Sequence, residues 1–150
     1  MIVIGIGNPW RRDDGSGLAV ARLLAGTPGV EVLEREGEPA SLIDAWDGAE
    51  ALWLVDAVSS GSAAGTVLRI DAAEQELPTE LFRASTHHLG LAEAVELARA
   101  LGRLPARTVF YGIEGASFDA GEGLSAEVAA AAVRVAEEIR KEVEACTSAS

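Results

Sequence analysis

Cysteine is nearly absent: Cys146 is the only one among 150 residues. No internal disulfide is available, which suits a reducing compartment, and the chain reads as cytoplasmic. Cys146 lies beyond the last apolar stripe with no histidine beside it in sequence, which argues against a nucleophilic role. Basic residues are scarce as well: 12 Lys+Arg face 24 Asp+Glu, a formal net charge of −12. The chain lacks the basic footprint that nucleic acid or an anionic membrane surface requires, so neither is expected as a partner. Long hydrophobic runs are missing. A membrane span needs roughly 18 or more apolar residues, and the nearest candidate, AEVAAAAVRVAEEIRKEV, is interrupted by charge. The opening MIVIGIGNPWRRDDG has neither the basic start nor the apolar stretch of a secretory signal.

What is present is an ordinary globular balance, 49% hydrophobic and 24% charged. At this length one domain covering 1–150 is expected, with a core that needs no covalent staple. Apolar runs alternate with amphipathic stretches. Strands are expected at Ile2–Gly7, Val30–Arg35, Ala51–Val58, Thr66–Asp71 and Thr108–Ile113. The third, ALWLVDAV, is apolar on both faces and reads as central. Helices are expected over Gly15–Ala25, after a cap at Ser41 and ending near Gly48, up to about Leu101 with Leu91, Val95, Ala98 and Leu101 on one face, and after a cap at Ser125. The closing TSAS reads as a frayed tail. Only SSGSAAG separates the third and fourth strands, too little for a crossover helix, so the fourth is expected to run antiparallel to the third. The result is a three-layer α/β fold with a mixed five-stranded sheet, mostly parallel with one antiparallel strand.

In such sheets ligands bind beyond the carboxyl ends of the strands, where strand order reverses. Three segments reach that edge: the loop Gly7–Gly15, the end of the third strand with Asp56, and the stretch before the third helix with His87 and His88, the only histidines. With a 2-1-3 order, Asp14 and Asp56 border one crevice, and His87 can join them from the same edge. Two carboxylates and an imidazole suit a borderline divalent metal such as nickel or zinc. Each has a plainer reading. Asp13 and Asp14 precede a helix, where Asp serves as a cap and favours the macrodipole. The two histidines can be exposed loop residues, and adjacent side chains diverge, so at most one reaches the site. Asp56 is harder to explain away, because a lone carboxylate in an apolar run is costly unless paired or at the strand end. Arg11 and Arg12, with Asn8, are weaker candidates for substrate binding, and a solvated pair balancing Asp13 and Asp14 is the competing account. Trp10, Trp46 and Trp53 read as core or rim packing. The GIGN turn is not a dinucleotide fingerprint, since that register would place glycine where Trp10 stands.

Three blocks together carry a family resemblance: Gly5-Ile6-Gly7-Asn8 with Asp13-Asp14-Gly15-Ser16-Gly17, then Val55-Asp56-Ala57-Val58 with Gly65-Thr66, then Ser85-Thr86-His87-His88-Leu89-Gly90-Leu91. In order and spacing the chain resembles the nickel-iron hydrogenase maturation endopeptidases from end to end. The resemblance implies a phosphorylase/hydrolase-like sheet. It also implies removal of a short C-terminal peptide from the hydrogenase large-subunit precursor after nickel insertion. It assigns metal contact and catalysis to Asp14, Asp56 and His87, the first being Glu in some family members. It further implies that the nickel is supplied by the precursor's cysteines, so no tightly bound metal is expected in the free chain. The start Gly5-Ile6-Gly7-Asn8-Pro9 is also similar to peptidyl-tRNA hydrolases, but those require a histidine soon after the first strand, and RRDDGSGLAVARLL has none. A non-catalytic precursor-binding chaperone is the third possibility. Retention of all three ligand-type residues speaks against it.

Overall fold

The third strand is the spine of the sheet because its sequence can be buried on both sides. In the computed structural model, which describes residues 1–82 and 90–148, ALWLVDAV forms β3 (Ala51–Val58), and every one of its residues is buried. Leu52, Leu54 and Val58 face one apolar layer, and Ala51, Trp53 and Val55 face the other. Burying each of these larger side chains contributes about 2 kcal/mol.

The other elements in chain order are β1 (Ile2–Ile6), α1 (Ser16–Leu24), β2 (Glu31–Arg35), α2 (Pro39–Trp46), β4 (Val67–Asp71), α3 (Gly90–Ala100), β5 (Arg107–Glu114) and α4 (Ala126–Ser148). The sheet order is β2-β1-β3-β5-β4. All neighbours are parallel except β4, which runs antiparallel to β5. Helices α1 and α4 cover one face through Val20, Leu24, Val135 and Ile139. Helices α2 and α3 cover the other through Leu42, Trp46, Leu91 and Val95.

Several expectations need adjustment. β4 does run antiparallel to β3, but β5 lies between them and is its partner. α2 begins at Pro39, not after Ser41: proline's fixed φ suits the first helical turn, and Glu38 takes the cap position without a side-chain bond. α3 stops at Ala100, leaving Leu101 exposed outside it. α4 continues to Ser148, taking in part of the segment read as a tail. The loop after β1 contains a short 3-10 turn, Arg12–Gly15.

One close contact places the start of α1. A Cβ on Gly17 would lie 2.3 Å from the Val55 carbonyl and 2.4 Å from that of Ile6. A Cβ on the facing Gly5 would lie 2.2 Å from the Gly17 carbonyl. Two glycines therefore let the first turn of α1 sit against the carboxyl ends of β1 and β3.

Candidate active site

β1 and β3 separate at this point. Their pairing runs from Ile2–Leu52 to Gly5–Val55, after which β1 parts from β3 and stays with β2 at Ile6–Arg35, while β3 continues beside β5 to Val58. Asp56 is the first residue of β3 beyond that pairing. It is the sixth of eight residues in the strand, so the cost of an internal carboxylate is met not by the strand's end but by the gap that β1 leaves. Strand order reverses here too, because β1 connects outward to β2 and β3 sits on its other side.

Asp14 approaches from the 3-10 turn that precedes α1 and is 1% exposed. Its Oδ2 accepts the Asn8 amide at 3.1 Å. Gly7 is needed behind it, since a Cβ there would lie 2.0 Å from the Asp14 carbonyl. Asp56 is 4% exposed, and its Oδ1 accepts the Ala57 amide at 2.8 Å. Burial first, and then the negative charge of Asp14, push the Asp56 carboxyl well above the usual carboxylate range, against the opposing effect of the Ala57 amide. The two carboxylates thus sense one another across the divergence of β1 and β3. Such a pair can share a proton or flank a divalent cation.

Among the described residues no three His, Cys, Asp or Glu side chains gather into a group that could hold a metal by themselves. His87 and His88 lie outside the described residues. On either side of the segment that holds them, Phe82 bridges Ser59, just past β3, and Gly90 opens α3. Of the predicted set, the structure brings Asp14 and Asp56 together and ties Asn8 to Asp14. Arg11 is half-buried and Arg12 exposed in the same loop.

Asp13 has a different task from its neighbour. Its carboxylate accepts the amides of Ala116 (2.8 Å), Ser117 (2.9 Å) and Ser125 (2.8 Å) and the Ser125 hydroxyl (2.8 Å). Burial alone would raise its pKa, but these donors outweigh it and hold the carboxyl below its ordinary value. Asp13 therefore fastens the turn bearing Asp14 to the segment between β5 and α4. It is neither a helix cap nor a partner that balances the arginines. Ser125 precedes α4 as expected, yet its hydroxyl serves Asp13.

Sequence reasoning missed Glu114, which is 4% exposed at the end of β5. Its carboxylate accepts the Ser60 amide at 3.0 Å and the Ser60 hydroxyl at 2.6 Å, fixing the chain that leaves β3. The available signal was the one that exposed Asp56: an acid closing an apolar strand, here TVFYGIE. A cavity of about 440 Å³ between the α1–β2 loop and the end of α4, lined by Leu23, Pro28 and Val143, contains none of the candidate residues.

The known proteins most informative for this geometry agree with one another. The family model described as hydrogenase maturation protease (HycI) matches residues 19–142. HupD of Thiocapsa roseopersicina, a hydrogenase expression/formation protein, is 30% identical over 125 residues, which cover 79% of this chain and 56% of HupD. The chain thus spans little more than half the length of that relative. Among solved structures, the hydrogenase maturating endopeptidase HybD from E. coli superposes with a TM-score of 0.79 at 26% identity, over 92% of this chain and 88% of that one. The [NiFe] hydrogenase maturation protease HybD from Thermococcus kodakarensis gives 0.73 at 28% identity, over 95% and 97%. With its sheet order, its paired carboxylates and a family match over most of its length, this chain belongs to the hydrogenase maturation protease family.

Proposed function

We propose that the chain is an endopeptidase that removes a short C-terminal peptide from the hydrogenase large-subunit precursor once nickel is in place. The observation that carries this reading is the buried pair Asp14 and Asp56, set where β1 and β3 diverge, with the Asp56 pKa raised in part by Asp14. In this reading Asp14, Asp56 and His87 contact nickel that the precursor already holds on its cysteines. The donor set fits: Asp56 is a buried carboxylate whose pKa is raised by burial and by the charge of Asp14, and a divalent ion held beside it would draw it into its ionised form. Held by Asp14, Asp56 and His87, such an ion would supply Lewis acidity to the scissile carbonyl or to water. Water adds to the carbonyl carbon, the C–N bond breaks, and the departing amine takes up a proton.

A second reading keeps the same pair in an aspartic-type mechanism, with Asp56 as acid and Asp14 as base toward water. The raised Asp56 pKa favours it. Asn8, whose amide donates to Asp14, and Arg11 and Arg12 of the same loop serve substrate binding in both. No helix among the described residues is long and apolar enough to cross a membrane. The single cysteine, which leaves no internal disulfide to form, supports action in a reducing compartment such as the cytoplasm. The test is incubation with nickel-loaded and nickel-free precursor, followed by intact-mass measurement. Cleavage of the loaded form alone is expected. Equal cleavage of both forms supports the aspartic-type route, and cleavage of neither removes the proposal.

A further inference from the structure

Trp10 is 63% exposed, whereas Trp46 and Trp53 are fully buried. An indole so exposed usually needs a reason, because burying it is worth more than burying almost any other side chain. The segment that displays it is rigidly held. The Trp10 carbonyl accepts the Gly121 amide at 2.8 Å, and the Arg12 amide donates to the Gly121 carbonyl at 3.0 Å. The Trp10 amide donates to Asn8 Oδ1 at 2.9 Å. Asn8 itself gives its own amide to Asp14 at 3.1 Å, so one residue joins the indole's backbone to the candidate carboxylate. Arg12 has φ +48°, in the left-handed region that non-glycine residues seldom occupy. Its guanidinium lies over Gly121, where a Cβ would meet Nε at 3.1 Å. It forms no ion pair among the described residues, in a chain whose net charge is −12.

We infer that Trp10 and Arg12 form a preorganised docking point for the polypeptide substrate, taking an apolar side chain on the indole and a neighbouring carboxylate on the guanidinium. This rests on the proposed function and names a specificity surface of the same site. Tryptophan and arginine are the residues that most often dominate binding at protein interfaces, and a loop already fixed in place loses little freedom on binding. A positive charge standing out from an acidic surface selects an acidic segment, and guanidinium and carboxylate match in a bidentate pair.

The test compares Trp10→Ala and Arg12→Asn, the latter chosen because asparagine tolerates the left-handed conformation. With nickel-loaded precursor, each variant should raise KM about tenfold while kcat stays within about twofold, the pattern of lost uniform binding. Melting temperatures should not move, since both side chains are exposed. Calorimetric titration of precursor into Asp56→Asn, with and without Trp10→Ala, reads binding apart from cleavage. Cleavage with unchanged KM in Trp10→Ala overturns the docking point and leaves the proposed function standing. Binding that Trp10→Ala weakens, with no cleavage by the wild-type chain, overturns the function and leaves the docking point. A loss of kcat at constant KM, or a wild-type dimer that Trp10→Ala dissolves in sedimentation, overturns it as well.

Discussion

Asp13 and Asp14 share a backbone turn and little else, because their acceptor oxygens meet different surroundings. Asp13 is surrounded by donors and stays ionised, whereas Asp14 faces another carboxylate. Asp56 shows what that costs. Its folded pKa lies above its unfolded value, so its contribution to stability is present below the unfolded pKa and lost as pH rises through the folded pKa. At pH 7 the native state must hold a strained carboxylate or keep a proton. Asp56→Asn should therefore melt at the same temperature as the wild type or higher at pH 7, and should lose precursor cleavage. A variant that melts clearly lower yet still cleaves would make Asp56 a structural hydrogen-bonding residue. Asp56 was legible in the sequence because a charge inside LWLV…AV has few explanations. The role of Asp13 was not, since its partners lie at Ala116, Ser117 and Ser125, and no local pattern announces a bond across the whole chain. His87, chosen on the family motif, lies outside the described residues.

Helix α1 owes its position to the absence of side chains at Gly5 and Gly17. Gly17→Ala would press a methyl group into the Val55 and Ile6 carbonyls, backbone atoms that cannot rotate away. A destabilisation of about 3 kcal/mol or more is expected from such overpacking, readable in urea unfolding, with activity falling further than stability because the turn carrying Asp14 precedes α1 directly. At the other end of the molecule, α4 is tied to β4 and β5 through Glu142. Its carboxylate accepts Arg69 Nη2 at 2.6 Å and the Tyr111 hydroxyl. Burial would raise the Glu142 pKa, but Arg69 and Tyr111 together hold it below its ordinary value of 4.5. Glu142 therefore stabilises the fold above that value, and the benefit is lost as pH falls through the lower folded pKa. Thermal melts from pH 7 to pH 3 should show Glu142→Gln less stable than the wild type at pH 7 and converging with it in acid. The gap should be about 1 kcal/mol or less, because Arg69 is 48% exposed and solvent screens the pair. The bounds of β3 were readable from its unbroken apolar run, and those of β1 and β5 nearly so. The placement of β4 was not. A short connection shows that a strand turns back, but it does not show which strand it turns back to.

For the whole molecule, the carboxyl edge of the sheet carries the candidate chemistry, with two protein carboxylates and no third ligand among the described residues. Nickel or zinc should bind the free chain weakly, because the proposed ligands Asp14, Asp56 and His87 come from three separate segments and leave the shell open to water. Calorimetry showing tight stoichiometric binding in the absence of precursor would point to a resident metal. The overall charge of −12 argues that any partner's approach is governed by the few cationic points on the surface, and added salt should weaken docking where those points matter. The sheet order also bears on how the chain reaches this state. Strand β5 is the last to be made, yet it belongs between β3 and β4. During synthesis, β1, β2 and β3 can assemble from local crossovers, while β4 has no partner until residue 107 and beyond have emerged. Until then one side of β3, the most apolar strand, is an open edge that invites pairing with another chain. The final insertion of β5 closes that edge, so formation of the sheet should depend on a late, long-range event, and a nascent chain halted before β5 would be a template for aggregation.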